Sequence, residues 1–219
     1  MYVAIIGDLV KSREINARED AQRKLKAVLE KINETHQTQL ASRFSVTLGD
    51  EFQGLLHSPD HILELLFDIK YQLYPIQVRF GIGLGEILTE IDPLESIGAD
   101  GPAYHAARRL IGEVKRSESG KKAVACDMMF GGKDQDECLE SINAGLGLIH
   151  FMENHWSPKQ FENIYDSFFL GLNQSQIAEK KGVNQSTVHR SLSAAGYYEF
   201  EKALKDFQRL LDRKWKELT

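Results

Sequence analysis

The sequence predicts an α/β (α+β) sandwich followed by an all-α domain, and three observations carry that prediction. Up to about residue 130, strand-like and helix-like patterns follow one another in the order β-α-β-β-α-β-α-β. Gly131-Gly132-Lys133 then makes the clearest break in composition. From Asp136 onward the apolar spacing is wholly helical. The expected domains are therefore residues 1–130, a mixed sheet with helices on one face, and residues 134–219.

Val3 to Val10 reads as a buried strand that ends in Gly7-Asp8. Ala21, Leu25, Val28, Leu29 and Ile32 then give one apolar stripe, which predicts a helix over about Asn16 to His36. Phe44 to Leu48 and Phe52 to Leu56 flank Gly49-Asp50-Glu51 and read as a hairpin with carboxylates at its tip. Alternation along a strand turns Glu51 to the face opposite Asp50. A helix follows Ser58-Pro59-Asp60 and runs through Ile62, Leu65, Leu66, Ile69 and Leu73 until Pro75 stops it. In Gln77 to Ile87, glycines at 81, 83 and 85 would weaken an ordinary strand, so something approaches this backbone closely, either a crossing helix or a ligand. After the loop Glu90 to Gly101, Pro102 opens a helix that ends near Ser119-Gly120, and Lys122 to Cys126 reads as a last short strand.

With 42% hydrophobic and 27% charged residues, the chain has the make-up of an ordinary globular protein. It shows neither a signal peptide nor an apolar run of about 20 residues, so the expectation is a cytoplasmic protein with no membrane contact. Cys126 and Cys138 lack metal-type spacing and read as free thiols. The acidic excess lies before residue 150, so any contact with DNA is expected from the nearly neutral tail.

Within the tail, residues 172–195 have the positions of a helix-turn-helix. Ile177-Ala178 gives the first helix a buried face, Gly182 permits the turn and Val183 plugs the gap between the helices. Asn184 caps the second helix, which Val188 and Leu192 hold on the core. Gln185, Ser186, Thr187, His189 and Arg190 then face outward, and these side chains suit phosphates and base edges in a major groove. This stretch resembles the units of sigma-factor region 4 and of LuxR-type regulators. Use of the three helices for protein contacts is the other reading. In the final helix, Phe200, Leu204, Phe207, Leu211, Trp215 and Leu218 recur every three or four residues, as an inner face or as the seam of a homodimer.

Four stretches of the front part occur in order: G-D-L-V, T-L-G-D-E-F, V-R-F-G-I-G-L-G-E-I and G-P-A-Y-H-A-A-R-R-L. This succession resembles the motif set of the class III nucleotidyl cyclase domain, a ferredoxin-like palm shared with GGDEF diguanylate cyclases. With the helix-turn-helix added, the whole chain resembles the SatD family. The resemblance implies that Asp8, Asp50 and the Leu9 carbonyl hold Mg²⁺ or Mn²⁺, and that Arg108 stabilises phosphoryl charge. Tyr104 stands where cyclases place a transition-state asparagine, so it joins Arg108 as a candidate catalytic residue. Val46 and Ile97 replace the base-selecting lysine and aspartate. Lys11, Arg13, Asp100 and His105 are the further candidates for contact with a nucleotide.

Two functions follow as expectations. One is a DNA-binding regulator whose palm takes metal and nucleotide as effector. The other is an active Mg²⁺-dependent nucleotidyl cyclase or oligonucleotide synthase with an appended DNA-binding tail.

Overall fold

The computed structural model describes residues 1–10, 18–119 and 126–219. Strand β1 (Tyr2–Leu9) is followed by α1 (Arg18–Thr35), β2 (Leu40–Leu48), β3 (Glu51–Leu56), α2 (Ile62–Leu73), β4 (Val78–Gly85), α3 (Pro102–Ser119) and β5 (Met128–Gly131). The helices α4 (Glu137–Glu153), α5 (Pro158–Phe168), α6 (Gln174–Lys181), α7 (Gln185–Ala194) and α8 (Tyr197–Leu218) complete the chain. The sheet order is β2-β3-β1-β4-β5, with the first three pairings antiparallel and β4-β5 parallel. A β-α-β-β-α-β chain laid out in this order is the ferredoxin-like split βαβ arrangement, here extended by one parallel strand. The α/β fold class and the element order expected from the sequence are therefore observed.

The last described strand is Met128–Gly131; of the strand expected over Lys122 to Cys126, residues 122–125 lie outside the described residues. Phe80 N donates to Asp127 O at 2.8 Å, which opens the parallel ladder. Beyond β5, the Asn143 side chain accepts from Phe130 N at 2.7 Å and donates to Phe130 O at 2.8 Å. That pair of bonds satisfies two backbone groups of an edge strand that would otherwise offer them to another chain.

Both faces of the sheet are covered. On one face Ala4, Ile6 and Leu55 pack against Ala103, Tyr104, Ala107 and Ile111 of α3. The glycines of β4 make this contact possible: a Cβ on Gly83 would lie 2.0 Å from Ala103 O, and one on Gly81 would lie 2.2 Å from Ala107 O. On the other face the Phe52 ring fills the space over Gly7 and meets Phe44 and Phe80. Helix α1 lies on that side, where its Asn33 holds both backbone polar groups of Phe44. The expectation of helices on one face is corrected accordingly. β1 is buried along almost its whole length, as a strand covered on both sides should be.

By its contacts the chain divides into two compact units, Met1–Gly147 with Gln208–Thr219, and Leu148–Phe207. The sequence had suggested a division at Gly131-Gly132-Lys133, yet residues 134–147 and 208–219 group with the sheet. Specific bonds account for this. Asp136 accepts from Leu139 N at 3.0 Å at the start of α4 and pairs with Lys214 at 2.7 Å. Burial pushes the Asp136 pKa up, but the Lys214 ammonium and the Leu139 N–H outweigh it and hold the carboxyl below its ordinary 3.8. Gln208 accepts from Leu63 N at 3.2 Å and donates to Pro59 O at 2.7 Å, which pins this part of α8 to the start of α2.

In the second unit, Phe200 packs edge-on against Trp156 and Phe168, and the Trp156 indole donates to Ala195 O at 2.8 Å. Buried Asp166 is paired with Lys180 at 2.6 Å and Lys181 at 3.2 Å. Phe200 and Leu204 face inward here, as one of the two readings of the last stripe requires. Among the described residues no helix is long and apolar enough to cross a membrane.

Candidate functional site

Three adjacent strands meet at the end of β1. Asp8 is opposite Glu51 on β3 and opposite Arg79 on β4, so these three side chains share the sheet face that α3 covers. Asp50 precedes Glu51 in the hairpin turn, and its carbonyl accepts from Leu9 N at 3.3 Å. The fold thus brings together Asp8, Leu9 and Asp50. Glu51 shares with Asp8 the sheet face that α3 covers, while Asp50 sits in the turn, outside the ladder.

Asp8 is buried and holds two cations. Arg79 Nη1 donates to Oδ2 at 3.2 Å and Lys115 Nζ lies 3.1 Å from Oδ1. Both were missed in the sequence, although each has a positional signal. Arg79 has the same parity as Gly81, Gly83 and Gly85, and Lys115 is the next member of the stripe Ala103, Ala107, Ile111 at four-residue spacing. Carboxylate oxygens at a strand end are donors that suit a hard divalent cation, and the two cations already on Asp8 show that positive charge is favoured there. On donor chemistry the residues fit such an ion.

Arg108 has a 65% exposed side chain whose Nη1 lies 4.0 Å from Glu51 Oε1. Tyr104, one turn earlier, is only 2% exposed and belongs to the apolar cluster beneath α3. Burial pushes its phenol pKa well up, against smaller opposing effects of the Ser96 hydroxyl and the Arg108 charge. The hydroxyl makes no hydrogen bond of ordinary geometry. Ser96 is itself committed, since it donates to Gln53 O at 2.9 Å while Gln53 donates to Ser96 O at 2.6 Å.

Asp100 and His105 pair with each other at 3.0 Å, both largely exposed, at the start of α3. Lys115 is ten residues further along that helix, about 15 Å at a rise of 1.5 Å per residue. These two candidates therefore lie apart from the Asp8 end. Val46 is opposite Phe52 on the α1 side of the sheet, where it lines a shallow cleft of about 410 Å³ with Lys26, Asn33 and Arg43. Asp8 faces the other side. Ile97 is half-exposed in the loop before α3. Lys11 and Arg13 lie outside the described residues.

In the second unit, α6 and α7 are joined by a short turn with Gly182 at φ 64°. Ile177, Ala178, Val188 and Leu192 are buried, while Gln185, Ser186, Thr187, His189 and Arg190 are exposed. Val183 is 45% exposed and so does not plug the gap between the helices, which those four buried residues already fill. Asn184 occupies the cap position of α7 but makes no side-chain capping bond. His189 packs its ring near Tyr198, whose hydroxyl accepts from Gln174 at 2.8 Å.

The sequence profile of the SatD family matches residues 2–208. The chain belongs to the SatD family. No curated protein matches this SatD-family chain. Among solved structures it is similar to a bacterial light-regulated adenylyl cyclase, with 12% identity over 59% of this chain and 74% of that one, at a TM-score of 0.43. It is also similar to the guanylate cyclase domain of RhGC from Catenaria anguillulae, solved in complex with GTP. There the identity is 16% over 51% of this chain and 71% of that one, at a TM-score of 0.38. The guanylyl cyclase Cya2 matches at 15% identity over 51% of this chain and 69% of that one, with a TM-score of 0.38.

Proposed function

We propose that this SatD-family protein is a DNA-binding regulator whose ferredoxin-like domain takes a divalent cation and a nucleotide as effector. One observation supports the effector site above all: Asp8, Asp50 and Glu51 gather at one sheet end, with Arg108 4.0 Å from the Glu51 carboxylate. Asp8 and Asp50 would hold Mg²⁺ or Mn²⁺, with the Leu9 carbonyl as the third candidate ligand. The bound ion would neutralise the charge of a polyphosphate. Arg108, exposed on α3, would meet a phosphate oxygen.

Binding without turnover is the reading the geometry favours. Tyr104 occupies the position where the resemblance calls for a transition-state contact, yet it is spent on the core. The alternative, an active cyclase or oligonucleotide synthase, draws on Asp8, Asp50 and Arg108 all being present. Incubation with each nucleoside triphosphate and Mg²⁺ or Mn²⁺, followed by chromatography, separates the two. We expect no cyclic or oligomeric product; product that disappears in Asp50→Ala would replace the regulator by the enzyme.

For the second unit, the outward row Gln185, Ser186, Thr187, His189 and Arg190 suits a duplex groove, and a homodimer would present it twice, as a palindromic site requires. Lys180 and Lys181 of α6 are drawn to Asp166, and Arg190 is the cation that α7 itself presents. Arg190→Ala is expected to weaken binding to DNA from the protein's own promoter region about tenfold and to flatten the salt dependence by about one phosphate contact. Fluorescence anisotropy across a salt series measures both. Equal affinity and slope would mean that α7 does not touch DNA. Such a regulator belongs in the cytoplasm, where DNA and nucleotides are both within reach.

A further inference from the structure

The two cations on Asp8 are not equivalent. Arg79 is on the neighbouring strand in direct register with Asp8, its side chain is only 15% exposed, and a guanidinium there is held by the ladder itself. Lys115 comes from α3, is 38% exposed and reaches Oδ1 with an ammonium on a flexible four-carbon stem. Each carboxylate oxygen is therefore already occupied by a cation, one fixed and one mobile. A divalent ion that takes Asp8 meets a carboxylate with no uncompensated charge, so it must remove a cation before it gains anything. The cheaper one to remove is Lys115, because its ammonium can swing to solvent without disturbing a strand.

We propose that Lys115 is the resident counter-ion of Asp8, displaced when a divalent cation binds, and that the released ammonium then positions the polyphosphate of the nucleotide. This rests on the metal-and-nucleotide reading above and adds a residue to it. The ammonium set free beside a dication is repelled by it, which makes the bare ion a poor ligand. When a polyphosphate arrives with the ion, its anionic oxygens give the ammonium a partner. Ion and polyphosphate thus bind better together than either does alone, a coupling that a site made only of carboxylates would not have in this form.

The test uses the full chain and two probes, Mn²⁺ alone and preformed Mn²⁺-tripolyphosphate, with affinities measured by calorimetry in the wild type, Lys115→Met, Lys115→Arg and Asp8→Asn. Lys115→Met is expected to bind bare Mn²⁺ about tenfold more tightly than the wild type, the order of effect set by one partly exposed ion pair. Lys115→Arg should stay at the wild-type level, since it keeps the charge. The advantage of Mn²⁺-tripolyphosphate over bare Mn²⁺ should shrink in Lys115→Met. Should the wild type bind Mn²⁺ in an Asp8-dependent way while Lys115→Met has the same affinity, the counter-ion role fails and the metal site stands. An unchanged tripolyphosphate advantage in Lys115→Met overturns the positioning role. Absence of binding in the wild type with either probe, or binding that survives Asp8→Asn unaltered, overturns this inference together with the reading it rests on.

Discussion

Gly83→Ala is expected to cost about 3 kcal/mol of stability or more, at the upper end of what one added methyl group does in a packed interior. The reason lies in what the methyl would strike. A Cβ at this position would sit 2.0 Å from Ala103 O and 2.6 Å from Ala107 N, both backbone atoms of α3. A side chain in the way can rotate; a helix backbone can only move as a body. Lifting α3 by the ångström or more required would open its contact with Ala4, Ile6 and Leu55. Gly112→Ala is the matched control, because the nearest atom to its Cβ would be the flexible Arg116 guanidinium at 3.6 Å. In a helix interior that change should stabilise by up to about 1 kcal/mol. Urea midpoints of the two variants check both signs, and similar midpoints would mean that α3 does not lie on the glycines of β4.

Asp8→Asn has two effects of different origin. The amide keeps the shape of the carboxylate but leaves Arg79 and Lys115 gathered around a neutral group. Breaking a buried pair from one side costs about 3 kcal/mol when the orphaned charge stays buried. Lys115 can retreat to solvent, so the expected loss is about 2 kcal/mol, mostly from Arg79. Metal affinity should fall about a hundredfold or more, since loss of a direct ligand must exceed the effect of losing a supporting contact. Urea unfolding and Mn²⁺ titration of the same preparation report the two effects separately. A variant as stable as the wild type would contradict the ion-pair assignment.

Much of the α/β layer was legible, because strand and helix periods differ and turn residues punctuate them. The hairpin at Gly49-Asp50 and the strand-end Asp8 could be placed together from pattern alone. For the β4 glycines, the pattern disclosed a close approach but not its author; only the register of β4 against α3 decides for the helix. That Glu51 shares a face with Asp8 was not legible, for a local reason. Alternation holds within a ladder, and Asp50 lies in the turn just outside it, so parity counted across the turn has no meaning.

Arg79 and Lys115 were less accessible. Their meeting on Asp8 depends on which strand neighbours β1 and on where α3 ends, and both are long-range facts. Met128–Gly131 was not singled out because it is a short apolar run beside another, Lys122 to Cys126. What holds its edge is the Asn143 side chain, thirteen residues beyond Phe130. Val183 has the apolar character of a plug, yet Ile177, Ala178, Val188 and Leu192 already close the space it was assigned.

The central claim, an effector site for a divalent ion and a nucleotide at the Asp8–Asp50 end of the sheet, is tested most directly by calorimetric titration of each nucleoside triphosphate into the wild type and Asp50→Ala. Each titration is run with Mg²⁺ and again with a chelator present. Asp50 is the better probe, because it sits in the turn, outside the ladder that pairs β3 with β1 and β2. The account predicts saturable binding of at least one nucleotide to the wild type, dependent on Mg²⁺ and lost in a folded Asp50→Ala. Failure of all four nucleotides to bind, or equal binding by Asp50→Ala, would contradict it.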